Sequence, residues 1–175
     1  MALHVLHDQR VIDIRPIRPD DGDRLQAYHL GLSEESQYRR YLSVKPRLSD
    51  ADVRYLVDID GADHFALVAT VPGSGEIVAV ARFIRLPGEP QTAEFAIVVG
   101  DEFHRQGLAG ELMRRLAGAA RQRGVTRFRA ALLADNLAIR KIMDRLAAGP
   151  VRVLHRGAVL ELEIELPDAR QAAAA

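Results

Sequence analysis

Phe103-His104-Arg105-Gln106-Gly107-Leu108-Ala109-Gly110 joins a strand-like run, Thr92 to Val99, to a long amphipathic stretch that ends at Gly124. Small residues at such a junction leave backbone N–H groups bare. With Gly107, Ala109 and Gly110 there, a diphosphate can come within hydrogen-bonding reach of main-chain donors at the positive end of a helix. The stretch reads as a cradle for a phosphorylated cofactor. A β-rich run, Arg127 to Leu133, follows the helix 107 to 123. A right-handed crossover through that helix makes runs 92 to 99 and 127 to 133 parallel neighbours. Ligands in such sheets bind outside the carboxyl ends of the strands, which is where the junction lies.

Working outward, Val11 to Ile17 alternates apolar and polar residues as a half-buried strand does, and Pro16 predicts that it is an edge strand. Pro19-Asp20-Asp21 opens a helix to about Leu32. Ser33-Glu34-Glu35-Ser36 caps a second helix, carrying Tyr38-Arg39-Arg40-Tyr41, and Ser49-Asp50-Ala51-Asp52 starts a third. Runs 64 to 71 and 76 to 86 are joined by Pro72-Gly73-Ser74-Gly75, a hairpin signature, and Pro87-Gly88-Glu89-Pro90 leads into the next run. Asp135-Asn136 caps a helix from about Ala138 to Ala147, and a hairpin of 151 to 155 with 159 to 166 closes the domain. This order predicts one α/β domain over 11–167, a mixed and mostly antiparallel sheet of about seven strands with helices on both faces. Residues 1–10 and 168–175 are expected to be flexible ends.

Composition narrows the function classes. Lys plus Arg and Asp plus Glu each number 24, so no net charge recruits nucleic acid or an anionic membrane. No apolar run approaches the ~20 residues that span a bilayer, and the first residues lack the basic-then-apolar order of a secretion signal. A cytoplasmic protein is expected. The chain has no cysteine, which excludes disulfides, thiolate metal sites and a cysteine-bound acyl intermediate. Its six histidines are scattered without a His-Glu-x-x-His spacing, so no functional metal is expected. Neither Gly-x-Gly-x-x-Gly after the first strand nor Gly-Lys-Ser/Thr occurs, which argues against dinucleotide and P-loop folds.

What does occur, after several strands, is His104-Arg105-Gln106-Gly107-Leu108-Ala109, which resembles the acyl-coenzyme A loop of the GCN5-related N-acetyltransferase (GNAT) family. The order of elements and the Asp135-Asn136 helix extend the resemblance over Ile14 to about Leu166. Within the family, the Tyr38 to Tyr41 helix, Asp63-His64-Phe65, Ala81-Arg82-Phe83, Ala93-Glu94-Phe95-Ala96 and Ile142 to Arg145 resemble the catalytic domain of actinobacterial Pat-type protein lysine acetyltransferases. The resemblance implies a GNAT fold, acetyl-CoA as acyl donor, and a protein substrate with an exposed lysine as acceptor. Mycobacterial members carry a cyclic-nucleotide-binding domain ahead of the transferase, and the expectation is that this control is absent from this polypeptide.

The resemblance also assigns residues. Glu94 becomes the general base that takes a proton from the ammonium through an ordered water. The residues support this independently, because Glu94 interrupts an apolar run and a partly buried carboxylate is suited to accepting a proton near neutrality. Marking the exposed start of the strand is the bland alternative. Backbone N–H groups of Ile97, Val98 and Val99 are assigned to the pantetheine arm and the thioester carbonyl, against ordinary strand pairing. His104, Arg105, Gln106, Gly107, Leu108, Ala109 and Gly110 take the diphosphate. His104 departs from the Gln or Arg usual there. Asn136 is assigned to the pantetheine or to the sheet opening, with helix capping as an equal reading. The tyrosine that many members carry as general acid is matched by Met143, which leaves that role to Tyr28, Tyr38, Tyr41 or Tyr55, or to none. Arg140 and Lys141 are candidates for the nucleotide phosphate, and His64 for the acceptor site. The competing functions are acetylation of a small amine or amino acid and a non-catalytic acyl-CoA-binding domain. The sequence sets no oligomeric state.

Overall fold

A computed structural model describes residues 2–43 and 45–168. Eight strands, β1 (Ala2–Val5), β2 (Val11–Pro16), β3 (His64–Thr70), β4 (Ile77–Leu86), β5 (Glu89–Val99), β6 (Arg127–Leu133), β7 (Arg152–His155) and β8 (Val159–Glu165), form one sheet in the order β1-β2-β3-β4-β5-β6-β8-β7. Every neighbouring pair is antiparallel except β5 and β6, the parallel pair that the crossover predicts. Helices α1 (Gly22–Gly31), α2 (Glu34–Tyr41) and α3 (Asp50–Val57) precede β3, α4 (Leu108–Gln122) makes the crossover, and α5 (Leu137–Leu146) joins β6 to β7. Among the described residues, no helix is long and apolar enough to cross a membrane.

The central strands read as near-continuous apolar runs because both of their faces are covered. Phe65, Leu67, Ala79, Ala81, Phe83, Ala93 and Phe95 face α4, which buries Leu108, Leu112, Met113, Leu116, Ala117 and Ala120 along one stripe. Phe65, Phe83, Phe128 and Phe95 form a ladder on that face, with centroids 5.4 to 6.0 Å apart. Ala66, Val68 and Val80 point the other way, onto Leu25, Leu56 and Val57 of α1 and α3. Strand alternation therefore puts Glu94, Ala96 and Val98 on the α1–α3 side. Asp21, fully buried, locks this layer by accepting two bonds from Arg15, each of 2.7 Å. Burial pushes the Asp21 carboxyl up, but Arg15 and the Arg18 backbone N–H outweigh it and hold the group below the usual range.

Two expectations are corrected. Residues 2–5 are a strand paired with β2, so the first ten residues are not a flexible end. That strand makes β2 internal, and Pro16 is tolerated because it closes the strand at its last ladder position. With β1 counted, the sheet has eight strands where about seven are expected. In addition, β5 starts at Glu89: Pro87-Gly88 is a two-residue turn, with Gly88 at φ +78°. Of the expected flexible end at 168–175, Asp168 pairs with Arg121, and 169–175 lie outside the described residues.

Candidate active site

The site exists because β5 and β6 part. They pair only through Thr92, Ala93 and Glu94, opposite Arg127, Phe128 and Arg129, after which β6 stays with β8 and β5 stays with β4. The gap continues as a cleft of about 570 Å³. Glu94, Ile97, Val98, Val99, His104, Arg105, Gly107, Leu108, Ala109, Gly110 and Asn136, all singled out in the sequence, line it. Gln106 does not.

Register decides which main-chain groups face the gap. The Gly100 N–H donates to the Val78 carbonyl at 2.8 Å, and Val99 stands opposite Ala79. In an antiparallel ladder the bonded positions alternate, so Val98 bonds to β4 while the N–H groups of Ile97 and Val99 point into the opening. The sequence reading of three free donors becomes two. The Val99 carbonyl accepts from Nε2 of His104 at 2.9 Å, so that side chain is turned back onto the strand end and is not extended toward a phosphate.

Gly107 caps α4 at φ +83°, a left-handed conformation that glycine adopts without strain, and Arg105 is also left-handed at φ +59°. The first helical bond runs from the Glu111 N–H to the Gly107 carbonyl, which leaves the N–H groups of Leu108, Ala109 and Gly110 without helical partners at the positive end of a 15-residue helix. A Cβ on Gly107 would lie 2.9 Å from Nε2 of His7. The amino-terminal hairpin thus packs on the cradle. The His7 N–H bonds the Gln106 carbonyl, the Asp8 N–H bonds Gln106 Oε1 at 3.1 Å, Arg10 donates to the Glu102 carbonyl at 2.9 Å, and its guanidinium lies 4.1 Å over Phe103. Gln106 therefore holds the loop from behind. No sequence signal marks these contacts, which join residues about a hundred apart.

The opposite wall is α2. Asp101, just past β5, accepts from the Ser33 N–H and hydroxyl at 3.0 and 2.9 Å and from the Ser36 hydroxyl at 2.8 Å. This clasp sets Arg39, Arg40 and Tyr41 along the cleft. Burial raises Asp101, yet the bonds from Ser33 and Ser36 leave it below the usual carboxylate range. Arg39 reaches Asp135 at 3.2 Å, linking α2 to the approach of α5. At the start of α5, Asn136 Oδ1 accepts from the Ile139 N–H at 3.3 Å as a helix cap, and the residue also lines the cleft.

Other candidates separate clearly. Glu94 is exposed, so the partial burial expected of it is absent. Met143 is wholly buried in the α4-side core, and α5 carries no hydroxyl group. Of the four tyrosines only Tyr41 lines the cleft. Tyr28, whose hydroxyl is shielded and has no partner, is pushed far up by burial and by Asp101. Arg140 and Lys141 are exposed and outside the cleft. His64 also lies outside it, accepting from Arg82 at 3.0 Å, and is pushed down to about 4, first by burial and then by that cation.

Residues 12–148 match the family profile described as the acetyltransferase (GNAT) domain. The chain belongs to the GNAT family. It is 40% identical over 154 residues to acetyltransferase Pat of Mycolicibacterium smegmatis, covering 88% of this chain and 45% of that protein. It thus spans less than half the length of that relative. A Pseudomonas aeruginosa acetyltransferase is 33% identical, with 79% of this chain and 74% of that one covered. The crystal structure of the GNAT domain of Streptomyces lividans PAT superposes with a TM-score of 0.84 at 32% identity, over 94% of this chain and 96% of that one. Acetyl-CoA is the acyl donor of GNAT enzymes. The cleft fits it: an apolar floor of Ala130, Leu132, Ile139 and Ile142 suits a pantetheine arm, and the bare first turn of α4 suits a diphosphate.

Proposed function

We propose that this GNAT domain moves acetyl from acetyl-CoA directly to the side-chain amine of a lysine in a protein, within a ternary complex in the cytoplasm. The observation that carries the proposal is the parting of β5 from β6 immediately after Glu94, which puts a carboxylate, two strand N–H donors and a helix N-terminus along one cleft. The similarity to the Pat enzymes supports the lysine acceptor.

In this reading the diphosphate lies against Gly107 to Gly110, with Arg105 beside it, and the pantetheine arm runs past Asn136 into the gap. A free Ile97 or Val99 N–H polarises the thioester carbonyl, where negative charge gathers as the amine adds. The ammonium, with a reference pKa of about 10.4, loses a proton through water to Glu94. The amine nitrogen then bonds to the carbonyl carbon, the carbon–sulfur bond breaks, the electron pair leaves with coenzyme A as thiolate, and the proton that the nitrogen sheds in becoming an amide passes through solvent to that thiolate. A thiol of pKa about 8.5 is a good leaving group, so the lack of a hydroxyl on α5 is chemically tolerable.

The test is thiol release from acetyl-CoA with and without acceptors, followed by mass spectrometry of a lysate exposed to labelled acetyl-CoA. Release only with lysine-bearing protein, and label on lysine side chains, is the expected result. Release with free amines alone would replace the protein acceptor by a small one.

A further inference from the structure

Partly buried arginines in this protein generally meet an acid: Arg15 meets Asp21, Arg85 meets Asp63, Arg115 meets Glu111 and Arg129 meets Glu163. Arg123 and Arg127 bond carbonyl and hydroxyl oxygens instead, and Arg40 and Arg82 also lack an acid. Among the described residues neither has a carboxylate within ion-pair distance. Arg82 is 4% exposed, and its partners are the Leu56 carbonyl at 3.2 Å and the neutral ring of His64 at 3.0 Å. Arg40 lines the cleft with its guanidinium 4.9 Å from the Tyr41 ring centroid. Burial pushes both arginines down, and Arg40 adds to the effect on Arg82, which falls to about 10. The shielded hydroxyl of Tyr28, within electrostatic reach of Arg40, adds a donor with no acceptor.

A buried cation without a counter-charge is costly, and a fold keeps one where a ligand supplies the anion. Glu94 attracts Arg40 but forms no ion pair with it, and it stands exposed on the same side of the sheet as Arg82. One exposed carboxylate and one partly buried guanidinium lining the same cleft complement a ligand bearing both an ammonium and a carboxylate. The planar fork of arginine matches a carboxylate in two bonds.

We propose that the acceptor end of the cleft binds a carboxylate carried by the amine acceptor, with Arg40 as its direct ligand and Arg82 reinforcing the positive charge behind it. The proposal rests on the acyl-transfer reading above. The carboxylate is either the α-carboxylate of a free amino acid or an acidic side chain beside an acceptor lysine in a protein.

Two matched pairs separate these sources: Nα-acetyl-lysine against its amide, and peptides with Asp-Lys against Asn-Lys. In wild type the acid-bearing member of at least one pair should show kcat/KM higher by about tenfold, carried by KM, as a charge-assisted bond warrants. Arg40→Gln should bring the pair to parity, and Arg40→Lys should keep part of the preference. Equal KM within both pairs in wild type, or a preference intact in Arg40→Gln, would overturn the proposal. Calorimetry with Nα-acetylnorleucine and its amide, which carry no acceptor amine, decides the subsite even if no acyl transfer is found. Tighter binding of the acid by wild type is expected, and no discrimination would refute the subsite.

Discussion

The two ends of the cleft are built by different means. The donor end is main chain: two N–H groups freed by strand parity, three more freed at the start of α4, and a left-handed Gly107 braced by a hairpin from the other end of the sequence. The acceptor end is side chain: Glu94 on the rim, Arg40 and Tyr41 from α2, and Arg82 behind them. A backbone site can be shared across a family whose sequences diverge, because small residues suffice to expose it. A side-chain site changes with each substitution. The difference teaches that donor and acceptor recognition can vary independently in this fold.

The sharpest way to break that separation is Glu94→Gln. Turnover near neutral pH should fall by about 10²-fold or more, as loss of a general base warrants, while acetyl-CoA affinity measured by calorimetry stays within about twofold. A parallel loss of affinity would mean that the two ends are not separable. The mirror experiment is Gly107→Ala. Holding a left-handed alanine costs about 1–2 kcal/mol, and the new methyl displaces His7. Acetyl-CoA affinity should drop by about tenfold with the KM for the acceptor little changed. Asp101→Ala tests the clasp between the ends. Loss of three bonds to Ser33 and Ser36 lets α2 shift, so acceptor KM should rise several-fold and thermal stability should fall by about 1 kcal/mol.

The remaining effect is on stability and not on turnover, a pH dependence set by His64. His64 accepts a proton near 6.5 when unfolded but only near 4 in the fold. The unfolded chain therefore binds more protons between those values, and the His64 contribution to stability is intact above 6.5 and lost as pH falls through 4. Urea midpoints at pH 7.5 and 5 should differ more in wild type than in His64→Gln, which keeps an acceptor for Arg82. Equal differences would place the acid sensitivity elsewhere.

The same contrast explains what was legible in the sequence. Gly107, Ala109 and Gly110 announce a main-chain cradle, and the crossover through α4 fixes the parallel pair beside it, because both follow from local pattern. Glu94 was legible as a break in an apolar run, and its exposure matches the alternative reading of an exposed strand position, because its side chain stands on the sheet face where the helices leave it uncovered. The roles of Gln106, Asp101 and Arg82 depend on partners 98, 68 or 65, and 26 residues away. Nothing in their own neighbourhood distinguishes them from ordinary loop and strand residues. Residues 2–5 give no strand signal, because a four-residue edge strand with Leu3 and Val5 exposed carries too little periodicity.

The hairpin that braces the cradle has a practical use. The chain contains no cysteine, so a single one introduced at position 8 would be a unique attachment point for a fluorophore. The backbone N–H there, not the side chain, is bonded to Gln106. A dye at that turn would sit outside the cleft and still register any movement of the loop when the donor arrives, giving an optical readout of binding that needs no turnover and no labelled substrate.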